Sequence, residues 1–533
     1  MSATGAADHD VIVVGGGHNG LIAAGYLARA GLRVNVLEAR PGFGGLCGTY
    51  EFMPGYKTAI TNSPGSLEFR FIRELELDRY GLRFLRTDPT VLHAFPEGAF
   101  VGWRDRDRIA AQLDSYADGE AKRYFGLIAD LENLARHMNV SVFKPAPPIS
   151  ELAHQVPAKL AGLFDRVFFG SLRQLLDERL RSDRAKALLG MLALNASLVP
   201  PSAPGSAIGL MLRPISLASN PPTDPDDPRS VPLRGSTGLP VGGMGAIIDA
   251  LVESVRAHGG TVEASAPVSR LLRQNGRISG VELKDGRILH ARAVLTAINP
   301  KTVFCDLLEA GAEEAGLVAE MQALPMRGSA FKLVLALDGL PGYRGLPADL
   351  SAQQAAQVQF RVAPSLDYIE KAVSEGLAGQ LAQAPIMWGL IVSESSPALA
   401  PEGRKLLSVN AWHAPYALSE GQWPEQGEVF ADRCVKALSD FLPDIGDRIV
   451  ARSYLNPRQL EAEFGLLGSN ITHGEMMPGA LFGARPGRNT NDYRSPVPGL
   501  YLSGAGTWPG GYVTGLPGFN AANVVINDFN KSR

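Results

Sequence analysis

Three glycines near the start of the chain, Gly15, Gly17 and Gly20, form the spacing G-x-G-x-x-G, and an acid, Glu38, lies 18 residues beyond the last of them. These residue types suit a dinucleotide. The first glycine permits a tight turn, the second lets backbone approach a pyrophosphate, and the third lets a helix pack on a strand. A helix starting inside that turn presents free N–H groups and a positive dipole end to phosphate. His18 and Asn19 lie within the turn, and Ala39 and Arg40 follow the acid. A carboxylate at Glu38 can accept both ribose hydroxyls, and it argues against a 2′-phosphate there. The ligand is therefore FAD or NAD rather than NADP. His18 itself reads as a spectator near the helix start.

The elements that must position these residues are visible around them. Val11 to Val14 are four consecutive aliphatic residues, which predicts a strand buried on both faces of a parallel sheet. Leu21 to Ala30 predict a helix ended by Gly31, and Val34 to Leu37 a second strand ending at Glu38. The unit is a complete βαβ. Farther on, Pro240 to Gly260 read as a glycine turn entering an amphipathic helix. Short strands follow, with Asn275-Gly276 and Asp285-Gly286 as hairpin turns, closing on Ala293 to Ala297. Near the end, Leu500 to Ser503 predict a strand, then a glycine turn, then a helix from about Leu516 or Gly518. The stretch Asn220 to Pro232, rich in proline and acid, reads as an exposed loop.

The bulk composition excludes several classes. The chain has 533 residues, 45% hydrophobic and 20% charged, which is a globular composition and suggests two intimately packed domains rather than four independent ones. A formal net charge of −3 gives no electrostatic case for nucleic acid. Cys47, Cys305 and Cys434 form no CxxC pair, so neither a zinc site nor a redox dithiol is expected, and no metal site is assigned. The first residues show no secretory signal, and no run of 18 apolar residues occurs. Cytoplasm is the expected location.

After the acid come Gly44 and Gly45, completing an E-x(5)-GG pattern that lets the chain pass close to a long extended ligand. With this pair, the sequence resembles the FAD-dependent oxidoreductases of the amine oxidase and phytoene desaturase superfamily. The motifs GGGHNGL, APGSA near Pro204, PVGGMGA, GSAFKLVLALDGLP and the PGG-x-V-x-G-x-x-G tail narrow it. They look like the subfamily of pyridine nucleotide-disulfide oxidoreductase domain-containing protein 2 and its bacterial homologues. The resemblance spans nearly the whole length and is weakest over 95–170 and 340–460. It implies an α/β fold with a discontinuous, Rossmann-like FAD-binding domain and a mixed α+β substrate domain. FAD-binding segments fall at 1–90, 236–300 and 491–533, and substrate-domain parts at 91–235 and 301–490. By the same resemblance, a backbone group of Val268 contacts the adenine side. The turn at Gly504 and Ala505 passes the flavin, and the helix beginning at Gly515 and Leu516 faces the pyrimidine end of the ring. A positive dipole end there stabilises negative charge on reduced flavin.

Enzymes of this shape take a hydride from a C–H bond or return one, and a neighbouring proton often needs a base. In Gly468 to Pro486, which precedes the last FAD segment, His473 and Glu475 are the candidates. Each reads alternatively as a structural or surface residue. Tyr512 interrupts PGGYVTG and is a candidate flavin-facing group or a loop-packing one. Trp508 is a candidate lining residue. Cys47 lies close enough in sequence to the glycine pair for a thioether to flavin to be conceivable, although the family binds FAD without one. Lys332, in FKLVLAL, reads as a core-edge lysine with an exposed head. The apolar spacing in Lys159 to Arg181 suits ordinary core or an oligomer interface, or else a peripheral membrane contact or substrate gate.

The expected activity is oxidation of a hydrophobic, isoprenoid-like or polyene-like substrate at a CH–CH bond. Oxygen, a quinone or the substrate itself is expected to close the cycle, and the oligomer state is open. Two alternatives stay beside it: a redox-neutral flavin-dependent isomerase, and an FAD-bound protein that binds partners without catalysis. An amine oxidase is a further possibility, although no aromatic pair stands out as an amine cage.

Overall fold

A computed structural model describes residues 8–62, 67–194, 198–222, 238–487 and 489–531. Most of Asn220 to Pro232, read above as an exposed loop, lies outside them.

Two seven-stranded sheets organise the molecule. The first begins with His9–Val14, whose last four residues are fully interior, as a continuous aliphatic run requires. It pairs in parallel with Val34–Leu37 on one side and Ile288–Thr296 on the other. Thr261–Glu263 extends the sheet past Val34–Leu37, and Leu500–Leu502 lies parallel to the end of Ile288–Thr296. The hairpins expected at Asn275-Gly276 and Asp285-Gly286 join Val268–Gln274, Arg277–Leu283 and Ile288–Thr296 into an antiparallel meander. Both glycines have positive φ, as those turns demand. Ile288–Thr296 is thus antiparallel to the meander at its start and parallel to the core strands at its end. Helix His18–Arg29 crosses one face, flanked by Gly245–Ala257 and Leu516–Lys531. The sheet is Rossmann-like, assembled from three separated stretches of chain.

The second sheet runs in the order Ile449–Leu455, Phe331–Leu337, Lys405–Trp412, Ile386–Ile391, Gln359–Val362, Val91–Phe95, Gly98–Val101. All its pairs are antiparallel except Gln359–Val362 with Val91–Phe95. Phe331, Phe360 and their neighbours on one face pack against Phe430 and Phe441. The other face packs Val334, Ala336 and Leu390 against Tyr56 and Leu239. It therefore looks toward the segments that follow the first βαβ unit.

The helical layer between residues 106 and 219 includes Ala158–Phe168 and Leu172–Arg179. Leu160, Phe164, Val167, Phe168, Leu172 and Leu175 are all core residues here, so interior packing accounts for the apolar spacing read in Lys159 to Arg181. Phe169 alone among the large apolar residues of that stretch is well exposed. Among the described residues no helix is long and apolar enough to cross a membrane.

Candidate functional site

The glycine turn has the geometry its spacing implies. Gly15 adopts φ +107° and donates its N–H to Leu37 O at 2.8 Å, closing the turn onto the second strand. A Cβ at Gly20 would sit 2.0 Å from Gly15 O, so helix and strand can approach only through glycine. Gly44, with φ +116°, donates to Gly16 O at 2.8 Å, and the glycine pair lies beside the turn. A Cβ at Gly17 would meet nothing nearer than 4.0 Å, and one at Gly45 nothing nearer than 3.8 Å. Both Cα atoms face open space, a cradle free of side chains along which an extended pyrophosphate ligand fits.

Glu38 is buried and accepts two backbone N–H groups, from Gly16 at 2.8 Å and Arg40 at 3.0 Å. The carboxylate is thereby fixed at the edge of the cradle, with its remaining lone pairs free to accept hydroxyls. Ala39 is exposed, and the Arg40 guanidinium lies over the Tyr50 and Phe464 rings at 4.4 and 4.0 Å. Ser265 N–H donates to Arg40 O and Ala266 N–H to Glu38 O, both at 2.8 Å. These bonds bring the segment leading to Val268 against the acid. From the last segment, Gly504 packs on Ala297 and Gly515 on Ile22 and Phe71. A Cβ at Gly518 would lie 2.2 Å from Asn19 O, so the helix Leu516–Lys531 starts against the start of His18–Arg29. Ala505 and Leu516 therefore return the end of the chain to the same cradle. The donor set, the acid and the open channel fit FAD.

The groups read as chemical candidates separate here. Glu475 is buried in a two-point ion pair with Arg327, made through Nε and through Nη2 at 3.0 Å. That pairing engages both carboxylate oxygens. His473 adopts φ +54°, its Nδ1 has no hydrogen-bond partner, and its pKa falls to about 4. Burial is the main cause, followed by the nearby charges of Arg485 and His18. It is neutral at pH 7 and able to accept a proton. Tyr512, at φ +69°, lies beside His18, whose Nδ1 stands 3.8 Å from Cys47 Sγ. Burial pushes the Cys47 thiol up to about 12, which removes the thiolate a thioether would need. Trp508 is fully buried, donates from Nε1 to Ser141 O at 3.0 Å and accepts from Tyr493 Oη at 2.9 Å through its carbonyl. His18, Cys47, Tyr512 and His473 are thus drawn together from three parts of the chain, whereas Glu475 is held apart in its own pair.

Arg485 was missed by the sequence reading. It is buried and donates to the carbonyls of Thr472, Glu475, Ala480 and Ala505, tying the His473 segment to the Gly504 turn.

Lys332 corrects an expectation. Its head is not exposed: the residue is 0% accessible, and Nζ donates to Ile60 O at 2.9 Å, Asn62 Oδ1 at 2.8 Å and Ser408 Oγ at 2.6 Å. No carboxylate is among these partners, and desolvation holds the amine well below its ordinary range. The signal lay in FKLVLAL. A strand buried along its whole length leaves no side from which a lysine can reach water. Thr61, between Ile60 and Asn62, donates to Leu46 O at 3.1 Å and to Cys47 Sγ at 3.6 Å. The lysine is therefore two short links from the cradle. A narrow cavity beside it is lined by Thr58, Thr61, Asn62, Leu390, Val392 and Leu399, among others.

Comparison with known proteins agrees with this geometry. A family model described as flavin containing amine oxidoreductase matches residues 20–525. A mouse protein called pyridine nucleotide-disulfide oxidoreductase domain-containing protein 2 is 30% identical over 98% of this chain and 94% of its own. A limonene dehydrogenase subunit from Castellaniella defragrans is 24% identical over 97% of this chain and 94% of its own. Hydroxyneurosporene desaturase of Cereibacter sphaeroides is 26% identical over 97% of each. Among solved structures, an oxidoreductase from Methanosarcina mazei superposes with a TM-score of 0.63 at 16% identity, covering 97% of this chain and 100% of that one.

Proposed function

Because the chain belongs to the family of flavin-containing amine oxidoreductases, we propose that this FAD-dependent oxidoreductase dehydrogenates a hydrophobic substrate at a CH–CH bond. The observation that carries the reading is Lys332, an amine buried without a counter-ion between the substrate sheet and the cradle. Burial holds this amine well below its ordinary range, so it gives up a proton more readily than an exposed lysine, and with one of its three N–H donors released it can take a proton as a neighbouring carbon loses hydride. Ile60, Asn62 and Ser408 fix the direction of Nζ. Leu390, Val392 and Leu399 form an apolar side of the adjoining cavity, facing Thr58, Thr61 and Asn62. His473, neutral and beside the Gly506 turn, is a second place where a proton can rest. When bound, FAD supplies the hydride acceptor. The names of two relatives, a limonene dehydrogenase subunit and a hydroxyneurosporene desaturase, support an isoprenoid hydrocarbon over an amine.

The test is anaerobic mixing of the holoprotein with a monoterpene diene and with an acyclic polyene. The expected result is bleaching of the flavin band and a product lacking two hydrogens. Bleaching by a primary amine, with both hydrocarbons inert, overturns the reading. A rearranged product with no hydrogen lost replaces it with isomerisation.

A further inference from the structure

Arg485 is one of the buried lysines and arginines among the described residues, with Lys332 and Arg361, and it reaches the last segment of the chain. Its Nη1 donates to Glu475 O at 3.0 Å and Ala480 O at 3.2 Å, and its Nη2 to Ala505 O at 2.7 Å and to Thr472 O. Each of these acceptors is a backbone carbonyl. Nε has no hydrogen-bond partner, and no carboxylate pairs with the guanidinium. Glu475, ten residues away in the chain, gives both carboxylate oxygens to Arg327 instead. Burial pulls the guanidinium down only to about 10, so it stays charged at pH 7. Buried charges are normally paired with an opposite charge. Carbonyl dipoles hold this one in place without neutralising it.

The charge lies next to the cofactor cradle. A Cβ at Gly20 would meet Ala297 Cβ at 3.2 Å, and one at Gly504 would meet Ala297 O at 3.0 Å. Ala297 therefore touches both the dinucleotide turn and the Gly504 turn, and the carbonyl that Arg485 holds belongs to the next residue, Ala505. The Gly504 turn also follows the C-terminal end of the parallel strand Leu500–Leu502, the end of an open α/β sheet at which ligands sit. Farther along the same segment, a Cβ at Gly510 would stand 3.6 Å from Arg485 Nε and 2.6 Å from Met476 Cε. The diphosphate has its own donors in the Gly15–Gly20 turn and the start of His18–Arg29. Arg485 stands instead along Gly504 to Gly510, the stretch expected to pass the flavin.

We propose that Arg485 is a fixed positive charge that favours reduced over oxidised flavin and so raises the reduction potential of the bound cofactor. This rests on the binding of FAD and not on the identity of the substrate. Uptake of a hydride adds two electrons and one proton to a neutral ring and leaves it one negative charge. A cation held in a water-poor interior lowers the energy of that charge and has no such effect on the neutral oxidised ring. The four carbonyls set the guanidinium in place beforehand, so it need not reorganise when the charge appears. His473, whose pKa is lowered by burial first and by Arg485 second, adds no further charge at pH 7.

The test reads a potential and needs no substrate. The anaerobic holoprotein is reduced stepwise beside a reference dye, and free FAD is measured the same way. The unaltered protein should hold its flavin at a potential above that of free FAD. Met476→Glu keeps Arg485 and its carbonyl bonds but sets a carboxylate near Nε. It should lower the potential by at least about 30 mV, a tenfold change in the two-electron equilibrium. Met476→Gln, of the same length without the charge, should leave the potential in place. Arg485→Met should lower it as Met476→Glu does, and Arg485→Lys should restore most of the loss. Should Arg485→Met purify without flavin, the two Met476 variants decide, and should they fail too, the unaltered protein decides. A potential at or below that of free FAD in the unaltered protein overturns the proposal. So does a potential that Met476→Glu leaves unmoved, or that Met476→Gln lowers equally. Failure of the dehydrogenase reading is separate and appears as flavin left unbleached by hydrocarbon.

Discussion

The sheet built on His9–Val14 and the sheet built on Phe331–Leu337 each have seven strands, yet they carry chemistry by opposite means. In the first, function lies where side chains are missing. Gly15, Gly17, Gly20, Gly44 and Gly45 clear a channel, and backbone N–H groups do the binding. In the second, the chemistry we propose rests on Lys332, a side chain held by partners distant in sequence, Ile60, Asn62 and Ser408. The first arrangement is local and writes a spacing into the chain. The second is assembled by pairing register and leaves no spacing to read.

The comparison predicts different failures when each sheet is altered. The largest effect should come from Gly20→Ala. Its added Cβ would stand 2.0 Å from Gly15 O, backbone that has no room to yield. We expect a protein that purifies without flavin, or that is destabilised by more than about 4 kcal/mol. The ratio of flavin to protein absorbance measures it. Stoichiometric FAD in this variant would remove the geometric basis of the cradle.

Lys332→Met should do the reverse, keeping the flavin and losing the chemistry. The thioether chain fills nearly the same volume, and loss of a proton-transfer group typically costs about 10²–10⁴-fold in rate. The measurement is substrate-driven bleaching at matched FAD content. An unchanged rate would confine Lys332 to a structural role and detach the second sheet from the reaction.

Glu38→Ala should be milder. Losing a charge-assisted hydrogen bond to ribose costs roughly 1.5–3 kcal/mol, a clear weakening of FAD affinity. The carboxylate also holds Gly16 and Arg40, so Glu38→Gln should retain part of the loss by keeping one acceptor. A flavin dissociation constant unmoved by either change would place the ribose elsewhere.

These contrasts explain what could be read in advance. The βαβ unit, both hairpins of the meander and the final helix were legible because aliphatic runs, Asn-Gly and Asp-Gly pairs and glycine spacing act within a dozen residues. Lys332 was misread because snorkelling is the common fate of a lysine near an apolar run. Only the burial of all seven residues of Phe331–Leu337 forbids it. Arg361 and His93 gave no signal at all, since 268 residues separate two positions that the parallel pairing makes neighbours. Glu475 looked available because its partner Arg327 is equally remote in sequence.

Acid should test the second sheet and its surroundings. Burial holds His93 and His413 near about 3, against 6.5 in the unfolded chain. Both are therefore neutral in the fold while the unfolded chain takes up protons. The stability from this difference is fully present above pH 6.5 and is lost as pH falls toward the folded values. Each residue contributes a slope approaching about 1.4 kcal/mol per pH unit within that window. Denaturant unfolding at several pH values measures it. His93→Gln should flatten the curve, and a curve as steep as that of the unaltered protein would show that His93 is protonated in the fold.

The smallest expected effect concerns the first sheet, and it is the response to a nicotinamide. Enzymes that reduce a flavin with NADH or NADPH often carry a second strand–glycine turn–helix unit for that nucleotide. Two other stretches, VGGMGA before helix Gly245–Ala257 and Ser503 to Gly506, have suggestive glycine spacing, and neither makes one. The turn before helix Gly245–Ala257 follows Leu239–Pro240, a two-residue strand paired antiparallel with Phe84–Leu85 outside either large sheet. The turn at Gly504 follows a parallel strand, Leu500–Leu502, but its helix begins only at Leu516, against the cradle already described. Neither turn has the strand–glycine turn–helix order that a second nucleotide would need. We therefore expect NADH and NADPH to reduce the flavin far more slowly than a typical turnover of about 10 per second. Oxygen or a quinone is our proposed acceptor in the other half of the cycle. Anaerobic stopped-flow absorbance at the flavin band, with either nucleotide in excess, is the measurement. Bleaching at a turnover-like rate would mean that the nicotinamide enters through the substrate cavity instead.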